Sequence, residues 1–540
     1  MFSKLSIQNN NFSKVFKATV FKSKVMQKSK MPSYSEQPLF RADEIKKIEQ
    51  SSAKSRNIEL YQIMELAGLA AWQSIETHWR DAEKISIVCG KGNNAGDGFV
   101  LAKIAAARGK TVQVLLVDEK TEHKGDAQVA YQAMIAEGIK PIQFQAASLK
   151  SQDLIVDAIL GTGLKGPLKE NFQQTIESIN TQVESESLLQ AESSVEVFSL
   201  DIPSGLESNT GQVNPIAIRA ARTLTFIALK PGMVTGDARA YCGVIDLAEL
   251  DVTADCKQQF SAQAWIDDAD ALIESLPQRS NISHKGDHGH LLLIGGDYGF
   301  GGAILMSAMA AGRCGAGRLT ILTRDAHVAP ILTQCPEAMI RSVSGANDPA
   351  LSAILQNTDA VVIGPGLGQE PWAQGLLKVI CATELPLLLD ADALNILAAT
   401  TDSKQYKKSN WVITPHPGEA GRLLNVEASQ IEQDRYQAVD LLQNKYSAVV
   451  VLKGAGTLIE DYDNQITVCN EGNPGMASAG MGDILSGIIG TLLAQGIEVS
   501  LAARIGVALH ARAGDLAAMN GQKGLMATDL ISPLRMLVNQ

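Results

Sequence analysis

The chain has 540 residues, 45% of them hydrophobic, with a formal net charge of −11. Such a length fits two domains of about 250 residues better than one, and the acidic balance excludes the broad basic face of a nucleic-acid binder. Aromatic residues make up only 5% while glycine and alanine are frequent, which favours α/β layers with tight turns over a β-sandwich.

The first thirty residues carry seven lysines and no acid. They lack the arginines of a transit peptide and the apolar core of a secretory signal. Residues 1–35 are therefore expected to be a disordered or extra extension, with Met26 or Met31 as alternative starts. Residues 41–78 read as helical, with Leu60, Met64, Leu66 and Ala67 at helical spacing. From residue 84, apolar strands alternate with helices: strands at 85–89, 112–117, 154–157 and 197–201, helices at 98–108 and 128–137. This alternation builds a parallel sheet covered on both faces. The Ser/Glu-rich stretch 181–196 reads as a surface insertion.

A polar stretch at 278–285 is the best linker, placing a boundary near residue 275 and domains at 36–275 and 276–540. The second half restarts the alternation, with strands at 290–294, 319–322, 360–363, 387–389, 411–414 and 448–452. Helices are expected at 302–314, 484–493 and 501–519. The predicted fold is thus two three-layer α/β domains, the first a Rossmann-like doubly wound sheet. No apolar run reaches the ~18 residues of a membrane helix, so a cytoplasmic protein without membrane or nucleic-acid partners is expected. The seven cysteines are scattered without a C-x-x-C pair, and the eight histidines show no H-E-x-x-H spacing. Neither a zinc site nor a disulfide framework is indicated.

Three turns in the first half carry chemistry. Cys89-Gly-Lys-Gly-Asn-Asn-Ala-Gly-Asp-Gly98 joins a strand to a helix, where glycines and free N–H groups suit a phosphate. Gly90-x-Gly92-x-x-Ala95 partly imitates the dinucleotide fingerprint, and Asp118 ends the next strand. Asp157 with Gly161 and Gly163, and Asp201 with Pro203 and Ser204, stand at two further strand ends. Together these turns would gather Asn93, Asn94, Asp97, Asp157, Asp201 and Ser204 around one crevice. A lone Asp at a strand end is more often a cap; three on one edge favour a site. Asn94, Asp157 and Ser204 offer hard oxygen ligands for an alkali or alkaline-earth cation, and Asp201 could move a proton.

In the second half, Ala479-Gly-Met-Gly-Asp483 precedes a helix. The N–H groups of Gly480 and Gly482 can stabilise a phosphoryl group in transit, and Asp483 can accept a proton from an attacking hydroxyl. A plain N-cap role for Asp483 would not call for glycines at 480, 482 and 487. Lys453-Gly-Ala-Gly-Thr457 supplies a point charge and close backbone contact, but is no Walker loop. Gly295–Ala303, Gly364-Pro-Gly-Leu-Gly368 and Thr414-Pro-His-Pro-Gly-Glu419 are further turns; for His416, a structural role and a substrate contact weigh equally.

The A-G-x-G-D loop is similar to that of the ribokinase-like superfamily. With T-P-H-P-G-E, K-G-A-G-T, G-P-G-L-G, G-N-N-x-G-D-G, V-D-A-x-L-G-T-G and D-I-P-S-G, all in order, residues 38–538 resemble the bifunctional NAD(P)H-hydrate repair family. The resemblance implies a ribokinase-like second domain and two activities. The first domain would epimerise the R and S forms of the hydrates NADHX and NADPHX. The second would dehydrate the S form, with ADP giving AMP and phosphate in bacterial-type members and with ATP in eukaryotic ones. Carried over by motif, Asn93, Asn94, Ala95, Gly96 and Asp97, then Gly161, Thr162, Gly163, Leu164, Lys165, Gly166 and Pro167, with Asp201, would bind the hydrate in the first site. Asn94, Asp157 and Ser204 would hold K+. In the second site Ala303, Gly366, His416 and Asp483 would contact the hydrate. Lys453, Gly454, Ala455, Gly456, Thr457 and Gly482 would contact the nucleotide, with Mg2+ on its phosphates. Asp201 and Asp483 would be the catalytic acids and bases, in a homo-oligomer of four or more chains. A small-molecule kinase fused to a regulatory domain, and a non-catalytic first half, are the alternatives.

Overall fold

The computed structural model describes residues 37–118, 122–163, 166–188, 195–400 and 407–540. The Lys-rich extension, and Leu164 and Lys165 of the expected first site, lie outside the described residues. Among the described residues, two sheets organise the molecule. The first has seven strands in the order Ile142–Gln143, Thr111–Leu116, Lys84–Cys89, Leu154–Ala158, Glu196–Leu200, Arg222–Phe226 and Val244–Ala248, all parallel. Apolar residues fill both faces of the central strands, as a sheet covered by helices requires.

The second sheet has eleven strands. Seven run parallel, in the order Val449–Leu452, Trp411–Ile413, Leu387–Leu389, Ala360–Ile363, His290–Ile294, Arg318–Thr323 and Met339–Ser342. Thr457–Glu460 and Ile466–Cys469 continue it antiparallel beyond Val449–Leu452. Ala264–Ile266 and Gln37–Leu39 complete that edge. The sheets thus divide the chain differently from a single cut near residue 275: the strands at 37–39 and 264–266 precede that point and belong to the second sheet.

Residues Glu36–Gln540 form one compact unit. One apolar cluster contains Leu229, Met233 and Val234 from the first half and Leu452, Leu458 and Tyr436 from the second. Arg435, almost wholly buried, donates to Thr235 Oγ1 at 2.9 Å and to the Leu452 and Lys453 carbonyls at 3.2 Å. Gly236 N donates to the Ala455 carbonyl at 2.9 Å. The expected nucleotide loop of one half is therefore seated on the other.

Several local expectations change. The 41–78 helix is two helices, Ala42–Arg56 and Leu60–His78, parted at Asn57, whose left-handed φ of 52° ends the first. The stretch 181–196 is helical as far as Leu188, within Glu170–Leu188. The helix expected at 98–108 is Asn93–Ala107, so Asn93, Asn94 and Asp97 form its first turns rather than a preceding loop. No helix among the described residues is long and apolar enough to cross a membrane. All seven cysteines are buried free thiols.

Candidate active sites

Lys84–Cys89 and Leu154–Ala158 are neighbours where the strand order of the first sheet reverses, and Glu196–Leu200 lies next to them. Ligands of open parallel sheets bind at such a point, beyond the carboxyl ends. Here the three turns meet. Asn94 Nδ2 donates to the Leu160 and Leu200 carbonyls at 3.0 and 3.1 Å. Thr162 N approaches Asp201 Oδ2 at 3.4 Å, and a side chain on Gly161 would meet that oxygen at 3.0 Å and Asn94 Cβ at 3.3 Å. Gly163, Gly166 and Pro167 are exposed beside this edge, as is Asn93.

Asp157 is fully buried and bonded by Ser199 Oγ at 2.9 Å, Ser204 N at 2.8 Å, Ser204 Oγ at 2.6 Å and Ile159 N at 3.2 Å. Burial nevertheless raises its pKa. Ser204 Oγ also accepts from Leu160 N at 2.8 Å, and Asn94 Oδ1 is buried without a hydrogen-bond partner among the described residues. Asn94, Asp157 and Ser204 thus surround Leu160 as an all-oxygen donor set with one carboxylate and one unsatisfied oxygen. Such a set offers hard oxygen ligands to an alkali or alkaline-earth cation.

Asp201 ends its strand with a left-handed φ of 67°, a conformation Asp tolerates better than most residues. Its Oδ1 accepts from Lys230 Nζ at 2.5 Å. Two more carboxyls face this pair. Burial, with help from Asp201 and Glu49, raises Asp97 well above the usual carboxylate range. Glu49, on the helix Ala42–Arg56, is pushed up to about 7 by burial, Asp201 and Asp126. Sequence reasoning missed Glu49 and Lys230. Glu49 sits in an ordinary amphipathic helix, and Lys230 in a Leu-Lys-Pro-Gly turn that announces nothing.

The second site is built on five neighbouring parallel strands, each followed by a functional turn. The turns bond to one another in order. Asp297 N donates to the Gly366 carbonyl at 2.7 Å, Gly368 N to Asp392 Oδ2 at 3.0 Å, and Lys453 N to the Pro415 carbonyl at 2.9 Å. Ala303 and Gly366 are adjacent, since a Cβ on Gly366 would lie 3.1 Å from Ala303 Cβ. They sit at this sheet's own reversal of strand order, between His290–Ile294 and Ala360–Ile363.

Gly480, with φ of 92°, is the N-cap of the helix Met481–Ala494, and Asp483 stands in its first turn without capping it. Gly482 leaves open a space bounded by Lys453 Nζ at 3.2 Å and Asp390 Oδ2 at 3.6 Å from where its Cβ would be. Gly487 serves a different end: a side chain there would strike the Ser307 carbonyl at 2.2 Å, so it admits the helix Gly301–Arg313. Lys453 Nζ bonds Asp390 Oδ1 at 2.8 Å and lies 3.7 Å from Glu419 Oε2. Burial works against this ammonium, but Asp390, Glu419 and Asp483 together raise its pKa. Ser486 Oγ donates to Asp390 Oδ2 at 2.7 Å. Asp483 is pushed up to about 7, by burial first and Asp390 second, against the pull of Lys453.

His416 Nδ1 accepts from Gly418 N at 3.0 Å, so His416 caps the helix Pro417–Leu424; its Nε2 lies 3.3 Å from Glu419 Oε1. Burial, with Lys453 and Arg422, lowers its pKa. Thr457 Oγ1 donates to the Gly454 carbonyl at 3.0 Å, closing the turn. Gly456, at φ 66°, lies so close to the first half that a Cβ would meet the Val234 carbonyl at 1.9 Å. Asp390 and Ser486 were missed in the sequence. Asp390 ends an apolar strand just as Asp157 and Asp201 do, and that signal would have found it.

Two family profiles match the chain: "YjeF-related protein N-terminus" over residues 60–232 and "NAD(P)H-hydrate dehydratase" over residues 291–535. The chain is similar to the bifunctional NAD(P)H-hydrate repair enzyme of Coxiella burnetii, 42% identical over 93% of this chain and 99% of that one. The enzyme of the same name from Escherichia coli is 41% identical over 92% of this chain and 93% of its own. Among solved structures, the ADP/ATP-dependent NAD(P)H-hydrate dehydratase of Bacillus subtilis, co-crystallised with ATP and Mg2+, is 28% identical. It covers 50% of this chain and 95% of that one, with a TM-score of 0.45. With both profiles in order and relatives matched over nearly their whole length, the chain belongs to the bifunctional NAD(P)H-hydrate repair enzyme family.

Proposed function

We propose that this chain repairs hydrated nicotinamide nucleotides with two sites, residues 36–275 epimerising R- and S-NAD(P)HX and residues 276–540 dehydrating the S form at the expense of ADP. The observation that carries the reading is Asp483, a half-buried carboxylate poised near neutrality beside the glycine cradle and Lys453. Hydroxide is a poor leaving group. At this site Asp483 accepts the hydroxyl proton as the oxygen attacks the β-phosphorus of ADP, and the bond to AMP breaks with its electron pair on AMP. The ring carbon–oxygen bond of the phosphorylated hydrate then breaks with its pair on phosphate, and loss of a ring proton restores the double bond of NAD(P)H. Nothing is oxidised or reduced.

Backbone N–H groups at Gly480 and Gly482 and the helix dipole offset phosphate charge. Lys453 adds a point charge, and Gly454, Ala455, Gly456 and Thr457 allow close approach of the nucleotide backbone. Ala303, Gly366 and His416 line the hydrate's side. Asp390 and Glu419, the carboxylates beside Lys453, would support Mg2+ on the phosphates, where the ion would neutralise charge.

In the first site the residues Asn93–Asp97, 161–167 and Asp201 would bind the hydrate, with Asn94, Asp157 and Ser204 holding K+ as a fixed local charge. Asp201 takes the hydroxyl proton as the ring carbon–nitrogen bond opens with its pair on nitrogen, leaving a carbonyl, and returns the proton as nitrogen closes on the opposite face of that carbon. The test is a pair of single variants assayed for both activities. Asp483→Ala should lose dehydration and keep epimerisation, and Asp201→Asn should do the reverse. An Asp483→Ala enzyme that dehydrates normally would overturn the reading.

A further inference from the structure

Lys230 is a site-facing cation of the first half that no motif announced. Its side chain has no exposed surface. Its Nζ spends all three donors at once: on Asp201 Oδ1 at 2.5 Å, Thr225 Oγ1 at 2.5 Å and the Phe226 carbonyl at 3.2 Å. A buried ammonium costs several kcal/mol in desolvation, and an apolar side chain of its size is often the more stable choice. The pair is also asymmetric. Oδ1 of Asp201 is taken by Lys230, whereas Oδ2, on the site's edge, takes only a long hydrogen bond from Thr162 N, 3.4 Å, among the described residues.

From the geometry we infer that Lys230 is the positioning residue of the first site, clamping one oxygen of Asp201 so that the other meets substrate, and supplying the buried positive charge against which Asp201 exchanges its proton. The inference rests on Asp201 being the proton carrier of epimerisation. The charged groups facing Asp201 are Lys230, on the turn after Arg222–Phe226, Asp97 on the helix Asn93–Ala107 and Glu49 on the helix Ala42–Arg56, with Asp126 behind Glu49. Among the described residues, Asp201 without Lys230 faces only carboxyls, and nothing then fixes its Oδ1.

The chain supplies its own control. Beyond Lys230 the chain runs through a short turn to Thr235 and Gly236, which bond the Gly456 and Ala455 carbonyls of the expected nucleotide loop at 2.8 and 2.9 Å. Dehydration by the same preparation therefore reports whether this region is folded.

The experiment uses the full chain, a mixture of R- and S-NADHX, and kcat and KM for epimerisation across pH. Lys230→Met should lower kcat by ~100-fold or more with KM changed little. Lys230→Gln, which keeps a donor for Asp201, should recover part of that loss at the same KM. Normal kcat in Lys230→Met, a loss carried by KM, or a Lys230→Gln enzyme no better than Lys230→Met overturns the inference. Should both lose dehydration as well, Thr225→Val decides: it frees one of the three donors, and an unaltered kcat there overturns the clamp, whereas a fall of ~5-fold at constant KM supports it. Asp201→Asn separates the two levels. If it epimerises normally the proton-carrier reading falls; if it is inactive while Lys230→Met is normal, only the role of Lys230 falls.

Discussion

In the first site the buried lysine is bonded to the carboxylate that meets the cleft: Lys230 holds Asp201. In the second, Lys453 is bonded to Asp390, and the carboxylate at the glycine cradle, Asp483, makes no ion pair among the described residues. The parts are alike, one buried ammonium among several carboxyls at the ends of parallel strands. The assignment is opposite. A carboxylate bonded to a fixed ammonium is held in one orientation; one left buried beside another carboxylate titrates near neutrality, as Asp483 does at about 7. Orientation suits returning a proton to either face of one carbon. A tunable proton affinity suits a base that must accept a hydroxyl proton once per phosphoryl transfer.

The largest expected effects would break this comparison outright. Asp483→Ala should cost dehydration ~10³-fold and leave epimerisation unchanged, and Asp201→Asn the converse, read from NADH absorbance and from the epimer ratio by chromatography. Loss of both activities in either variant would mean that the sites are not separate.

Next comes the contact between them. Arg435→Met removes the donor to two buried carbonyls on either side of Lys453's peptide, and should destabilise the chain by about 3 kcal/mol in urea unfolding. A variant unchanged in stability would remove Arg435 from the account of how the nucleotide loop is seated.

The pH dependence sharpens the contrast. Asp483 works only when deprotonated, so dehydration should rise with pH through about 7 and flatten above it. Asp390 is the neighbouring charge that raises Asp483, so Asp390→Asn should move that midpoint downward, by ~0.5–1 unit. An upward or absent shift in the rate profile would assign the raised proton affinity to burial alone. Glu49→Gln is the smallest probe. It removes one carboxyl facing Asp201 and should change kcat for epimerisation by less than ~2-fold, since Glu49 acts on Asp201 only through charge; a larger loss would place Glu49 in the site itself.

Much of this was legible in one dimension because strand ends carry their chemistry locally. The glycine-rich turn after Lys84–Cys89, the Asp157 and Asp201 turns and the Ala479–Asp483 loop are each contiguous, and their order along a parallel sheet implies a common edge. Glu49 and Lys230 were illegible for the opposite reason. They lie 152 and 29 residues from Asp201 in a chain that offers no periodic or spacing signal to link them.

The sequence by itself determined the alternating α/β pattern, the strand-end acids and the phosphate-type loops, because each depends on neighbours within one turn. Only the tertiary structure decided which carboxylate each lysine pairs with, and that the glycine loop 453–457, the proposed nucleotide contact, rests on residues 234–236 of the other half. Those outcomes follow from burial and distance between remote segments, and burial is what decides how a carboxyl holds its proton.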